Sequence, residues 1–192
     1  MSFVDILDKY SVSDLAKMID HTILKPTADY SVLEKYIDDC KKYRFAVLMV
    51  SPTLLSKVRE IAGNTIRLAT VVGFPLGSTF TEAKVLETKI AVENGAEEID
   101  MVMNINLFKS REYEKVLNDM KAVVEEAKRS GAKVVKVIIE TGLLSDEEKI
   151  KAVELVVKSG ADYVKTSTGF IAGGATIHDV ALLRRSAKNR VK

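Results

Sequence analysis

The run DYVKTS sets a lysine, Lys165, in a segment whose other members suit a strand buried on both faces. Lysine is seldom buried without a partner or a task. Two readings stand: Lys165 is neutralised by a carboxylate inside the fold, or it is an amine kept uncharged to attack a carbonyl and form a Schiff base. The second is demanding. An amine with the ordinary pKa near 10.4 is less than about 0.1% neutral at pH 7, so a downward shift of about three units, ~4 kcal/mol, is required; desolvation and a nearby cation both act in that direction. Lys136, in KVVKVII, is a second lysine in an apolar run, and either supplies that positive field or is itself neutralised by Asp100 or Glu140. Asp100 interrupts EIDMVM, with Ile99 and Met101 beside it. A carboxylate within reach of an amine passes protons during imine formation and breakdown, or serves only as a salt-bridge partner. Asp20 and Thr22, in IDHTIL, either orient a hydroxylated substrate or tie strand to loop.

Other chemistries lack their parts. His21 and His178 are far apart, without HxxxH or CxxC spacing, so no metal site is expected; aldol chemistry uses a metal Lewis acid or a lysine imine, and only the second has its residues here. There is no GxSxG elbow, no GxGxxG and no GxxxxGK[ST], which disfavours serine hydrolases, dinucleotide folds and P-loop NTPases. No cofactor is expected. The GFPLGS and GFIAGGAT turns are glycine-rich, but such turns open helices in many α/β proteins.

The elements that must position these residues follow from periodicity. After a helix expected over residues 2–18, short β-branched runs (IDHTIL, FAVLMV, RLATVVGF, EIDMVM, KVVKVII and DYVKTS) alternate with longer segments of helical period such as TEAKVLETKIAVENGA and SDEEKIKAVELVVKSGA. Gly95, Gly131 and Gly160 stand where left-handed helix stops are expected, each a few residues before the next strand. Alternation of this kind specifies an α/β fold with a parallel sheet. Parallel α/β proteins bind ligands at the carboxyl ends of their strands, and Asp20, Thr22, Ser51, Asp100, Lys136, Glu140, Lys165 and Thr166 are spread over five of the six runs. An open sheet would scatter them along a crest. A barrel points alternate residues of every strand into one mouth, and is therefore the expected architecture.

At 192 residues, 47% hydrophobic and 29% charged, the chain reads as one soluble domain, 1–192. Its net charge of +2 and the absence of a basic stripe argue against nucleic acid. No apolar run approaches the ~20 residues of a membrane helix, Cys40 has no internal disulfide partner, and MSFVDILDKY lacks the order of a secretory signal; the cytoplasm is the expected compartment.

The strings IDHTILKP, VVGFPLGS, AVENGAEEIDMVMN, KVIIETG and ADYVKTSTGF with GGAT, in this order and running almost from end to end, resemble the deoxyribose-phosphate aldolase family. The resemblance implies a class I lyase on a (β/α)8 TIM barrel, reversibly splitting 2-deoxyribose 5-phosphate into acetaldehyde and glyceraldehyde 3-phosphate. It implies that Lys165 forms the imine, that Asp100 relays protons, and that Thr168 and Gly169 approach the phosphate end. Small sugar phosphates and aldehydes would be the partners, with a homodimer or homotetramer as the assembly. The family pattern continues into seventh and eighth strands carrying a second active-site lysine and a phosphate loop, which this chain would lack. Met49 stands where some members have cysteine, and Phe170 where some have lysine. Two other readings remain open: a Schiff-base lyase for another sugar phosphate, and an inactive barrel fragment that binds a phosphorylated metabolite or a partner subunit.

Overall fold

A computed structural model describes residues 9–171 and 173–192. The chain divides into two compact units. One holds the described residues up to Thr70 with Asn94–Ala96, and the other Val71–Glu93 with Glu97–Lys192.

In the first unit the expected N-terminal helix is broken at Tyr10 and Ser11: Lys9 is helical, and a separate helix, α1, spans Val12–Ala16. The reason is local. Ser11 is extended and forms a capping box with Asp14, which starts a new helix at residue 12. Residues 2–8 of that expectation lie outside the described residues. Strands β1 (Asp20–Ile23), β2 (Val47–Val50) and the first three residues of β3 (Leu68–Val72) follow in spatial order, pairing in parallel with His21 opposite Leu48 and Met49 opposite Ala69. Helices α2 (Leu33–Tyr43) and α3 (Leu55–Ala62) connect them. Leu33, Ile37 and Cys40 recur at helical spacing on α2 and are buried. Burial, with Asp39 beside it, pushes the Cys40 thiol up to about 11, so it stays a protonated, unreactive thiol at neutral pH.

The second unit takes the end of β3 and then β4 (Glu98–Val102), β5 (Val134–Ile138) and β6 (Tyr163–Lys165), in the order β3-β4-β5-β6. Strand β4 pairs with β5, and β5 with β6, in parallel. Between the strands lie α4 (Thr81–Glu93), the short α5 (Ile105–Lys109), α6 (Tyr113–Ser130) and α7 (Asp146–Ser159), with α8 (Ile177–Ala187) after β6. Sequence supplies the ends of these helices. Ser145 with Glu148 and Thr176 with Asp179 form capping boxes at the starts of α7 and α8, and Gly160 ends α7 at φ +81°, a left-handed conformation that costs glycine nothing. The six expected strands are present within a residue or two, except that DYVKTS yields only three strand residues. After Lys165 the chain leaves the ladder, and the Thr166 carbonyl instead accepts from the Thr141 amide beyond β5.

One buried contact of this unit was not anticipated. Lys84 on α4 is fully buried; its ammonium donates to Asp119 Oδ2 of α6 at 2.6 Å and to the carbonyl of Val102, the last residue of β4, at 3.1 Å. Burial pushes this amine below its ordinary range, and Asp119 opposes that. Thr81 donates to the other Asp119 oxygen at 2.8 Å. The loop from β3 to α4 is held as closely: a Cβ on Gly77 would lie 2.0 Å from the Met103 carbonyl oxygen, so only glycine fits there.

A buried ion pair is costly to break on one side only. Asp119→Leu leaves the Lys84 ammonium buried without its counter-charge and is expected to lower the unfolding free energy by about 3–5 kcal/mol, read from urea midpoints. Asp119→Leu with Lys84→Met should recover most of that loss.

Candidate active site

The site in the second unit is built by strand register. Parallel pairing sets Asp100 of β4 beside Lys136 of β5, and Ile138 of β5 beside Lys165 of β6. Side chains alternate along a strand, so Glu98 and Asp100, two apart, share one face of β4. That face carries two carboxylates opposite two amines.

The Lys165 ammonium donates to Asp100 Oδ2 at 2.6 Å. Asp100 is completely buried while the Lys165 side chain is 33% exposed, so the amine is reachable from outside and its counter-ion is not. The second oxygen of Asp100 lies 3.2 Å from the Lys136 ammonium, which donates its own hydrogen bond to Glu98 Oε2 at 2.7 Å. Lys136 is 7% exposed. Asp100 therefore stands between two cations, and Glu98 takes part of the demand that one of them makes. Of the two partners weighed for Lys136, Asp100 is the one observed; Glu140 is engaged elsewhere.

Glu140, just beyond β5, adopts a left-handed backbone with φ +52° and ψ +68°, a conformation that costs a non-glycine residue of order 1 kcal/mol or more. In it the Glu140 carboxylate accepts from the Thr168 amide at 3.1 Å and the Thr168 hydroxyl at 2.6 Å. The main chain is stitched alongside, with the Ile139 amide donating to the Lys165 carbonyl at 3.0 Å and the Thr141 amide to Thr166 at 2.8 Å. The segment that follows the Lys165 amine is thus tied to the end of β5. Thr168 spends its hydroxyl proton on Glu140 and accepts from the Phe170 amide, so it organises the loop; Gly169 turns it at φ +80°.

Asp100, Lys136 and Lys165 are thus brought together, and Thr168 and Gly169 lie on the loop leaving Lys165. Asp20 and Thr22 belong to the first unit, where the Thr22 hydroxyl donates to the Asp20 carbonyl at 2.8 Å. The sequence reading missed Glu98 and the reach of Glu140 to Thr168. For Glu98 a signal existed: it stands two positions before Asp100 in a strand, and period two puts both on one side. For Glu140 none did, because its reach depends on a backbone angle that residue type does not foretell.

Thr168→Val removes the hydroxyl donor to the Glu140 carboxylate, which is 1% exposed. The expected cost is roughly 1–3 kcal/mol in unfolding free energy, because a buried acceptor loses a partner it cannot replace with water. An unchanged urea midpoint would show that the contact carries no stability.

Residues 15–189 match the family model described as DeoC/LacD family aldolase. The chain is 52% identical to the deoxyribose-phosphate aldolase of Streptococcus gordonii over 173 residues, covering 90% of this chain and 77% of that protein. It is 49% identical to the deoxyribose-phosphate aldolase of Carboxydothermus hydrogenoformans, covering 95% of this chain and 81% of that one. Among solved structures, the deoxyribose phosphate aldolase of Aeropyrum pernix, described as a tetramer, superposes with a TM-score of 0.89 at 34% identity, covering 99% of this chain and 82% of that chain.

Proposed function

The chain belongs to the DeoC/LacD family of aldolases, and from that premise we propose that it reversibly cleaves 2-deoxyribose 5-phosphate to acetaldehyde and glyceraldehyde 3-phosphate through an imine on Lys165. The single observation that carries this reading is the 2.6 Å contact, across β5, between a lysine open to solvent on β6 and a fully buried carboxylate on β4. A lysine that served only to neutralise Asp100 would gain nothing from being open to solvent.

The chemistry proceeds as follows. The unprotonated Lys165 amine attacks C1 of the open-chain sugar, and loss of water from the carbinolamine gives an iminium. Removal of the C3 hydroxyl proton breaks the C2–C3 bond; its electron pair moves to the iminium, leaving an enamine and releasing glyceraldehyde 3-phosphate. Protonation of the enamine at C2 and addition of water return acetaldehyde and free Lys165. Asp100 takes and returns protons in these steps, since its Oδ2 already lies at the nitrogen where the imine forms. The reaction asks for no metal or organic cofactor. Lys136 is buried among carboxylates, which supports a role as a fixed cation in the substrate-binding field around Asp100 in preference to direct contact with substrate. Thr168 and Gly169 are assigned to the phosphate end, and Asp20 and Thr22 to the hydroxylated substrate.

The same reading treats 1–192 as one aldolase barrel domain, its strands the first six of a (β/α)8 barrel. Two findings support it: the family match runs through both units, and the strands keep their sequential order in each. A homodimer or homotetramer is proposed by analogy with the Aeropyrum pernix enzyme. Cytoplasmic residence is proposed too; among the described residues no helix is long and apolar enough to cross a membrane.

Two variants test the assignment in a coupled assay of sugar phosphate cleavage. Lys165→Met should abolish turnover. Asp100→Asn should keep the fold and lower kcat by about 10²–10⁴, the usual worth of a positioned proton carrier. Turnover by Lys165→Met within tenfold of the parent would contradict the assignment.

A further inference from the structure

Resting on the aldolase reading above, we propose that Glu98 is a positioning residue that holds Lys136 off Asp100 and so keeps Asp100 committed to Lys165. Lys136 lies between two carboxylates on one face of β4, 2.7 Å from Glu98 Oε2 and 3.2 Å from Asp100 Oδ1. Only the first contact is a hydrogen bond. Asp100 Oδ1 is buried without a hydrogen-bond partner among the described residues, although the Lys136 ammonium is within ion-pair distance. Lys136 thus donates toward Glu98 and stabilises Asp100 through space alone, while the other Asp100 oxygen holds the Lys165 amine at 2.6 Å.

This division matters for a proton carrier. A carboxylate that accepts a charge-assisted hydrogen bond from a buried ammonium is a poorer base, because the bond favours its charged form. With Glu98 drawing the Lys136 proton donor to itself, the Asp100 carboxylate feels the cation without being bonded to it. Glu98 is itself 5% exposed, so its charge is not diluted by solvent, and its pairing with Lys136 is an interaction at low effective dielectric. A glutamine at position 98 would neutralise that pull. Lys136 would then turn toward Asp100 Oδ1, and Asp100 would accept protons less readily. Glu98 touches neither substrate nor the reacting nitrogen in this scheme; it acts through Lys136.

The proton steps can be read apart from imine formation. Acetaldehyde alone, incubated in D2O, exchanges its methyl hydrogens only when the enamine forms, which NMR follows; borohydride trapping reports the imine on Lys165 by mass. Glu98→Gln is expected to slow methyl exchange at least tenfold while the trapped adduct forms to the parental yield. In a double-mutant cycle the Glu98 effect should vanish once Lys136 is gone: Glu98→Gln/Lys136→Met should exchange within twofold of Lys136→Met. A stabilising ion pair with no catalytic consequence would move the unfolding midpoint and leave exchange alone. Exchange by Glu98→Gln at the parental rate, or a full tenfold loss persisting in the Lys136→Met background, would overturn the proposal. Should Glu98→Gln not fold, Glu98→Asp, which keeps the charge but shortens its reach to Lys136, is read in its place: slowed exchange with the parental adduct yield supports the proposal, and exchange at the parental rate contradicts it. If the parent protein forms no adduct on Lys165, the aldolase reading fails and takes this proposal with it, whereas a trapped, exchanging parent with an indifferent Glu98→Gln sinks only the role of Glu98.

Discussion

A carboxylate taken wholly out of water must be repaid by cations, and Asp100 sets the terms for the second unit. Its two oxygens face two different amines, Lys165 at 2.6 Å and Lys136 at 3.2 Å. Neither amine is a free choice once β4, β5 and β6 are in parallel register, because the ladder that buries Ile99, Met101 and Val137 also fixes which residues stand side by side. The apolar faces stabilise the sheet, and the same alternation delivers the charged residues to one another. Binding strength and chemistry are in this sense produced by a single geometric rule.

The scaffold around that rule is stiffened at the ends of the strands. Lys84, buried and paired with Asp119, also holds the carbonyl that closes β4. Glu140 accepts a left-handed backbone in order to hold Thr168, and the segment leaving Lys165 is pinned by two further main-chain bonds to the region past β5. Removing Asp119 would leave the Lys84 ammonium buried without its counter-charge, so that support is costly to lose as well as useful to keep.

Much of this was legible in the residues. Lys165 and Asp100 stood out because each breaks an apolar strand run, and burial physics makes such interruptions expensive. The alternation of strand and helix periods located the six strands, and glycines such as Gly160 marked where helices end. What stayed hidden depended on contacts distant in sequence. Lys84 sits in a helix where a lysine would ordinarily face water, and nothing local tells that Asp119, on another helix, draws it inward. Glu98 opens its strand as the second of two glutamates, where a carboxylate facing water is the ordinary expectation. The reach of Glu140 to Thr168 followed from one backbone angle. Periodicity carried the N-terminal helix through Tyr10 and Ser11, where a side-chain cap instead starts α1 afresh.

The account stands on an imine at Lys165 formed under the Asp100 carboxylate. The most direct measurement is a crystal structure of the protein after borohydride reduction with acetaldehyde. An ethyl group on the Lys165 nitrogen, with that nitrogen still within ~3 Å of an Asp100 oxygen, is the result this account requires. An ethyl group carried by Lys136 or another lysine, or an Asp100 side chain turned away from the modified nitrogen, would contradict it.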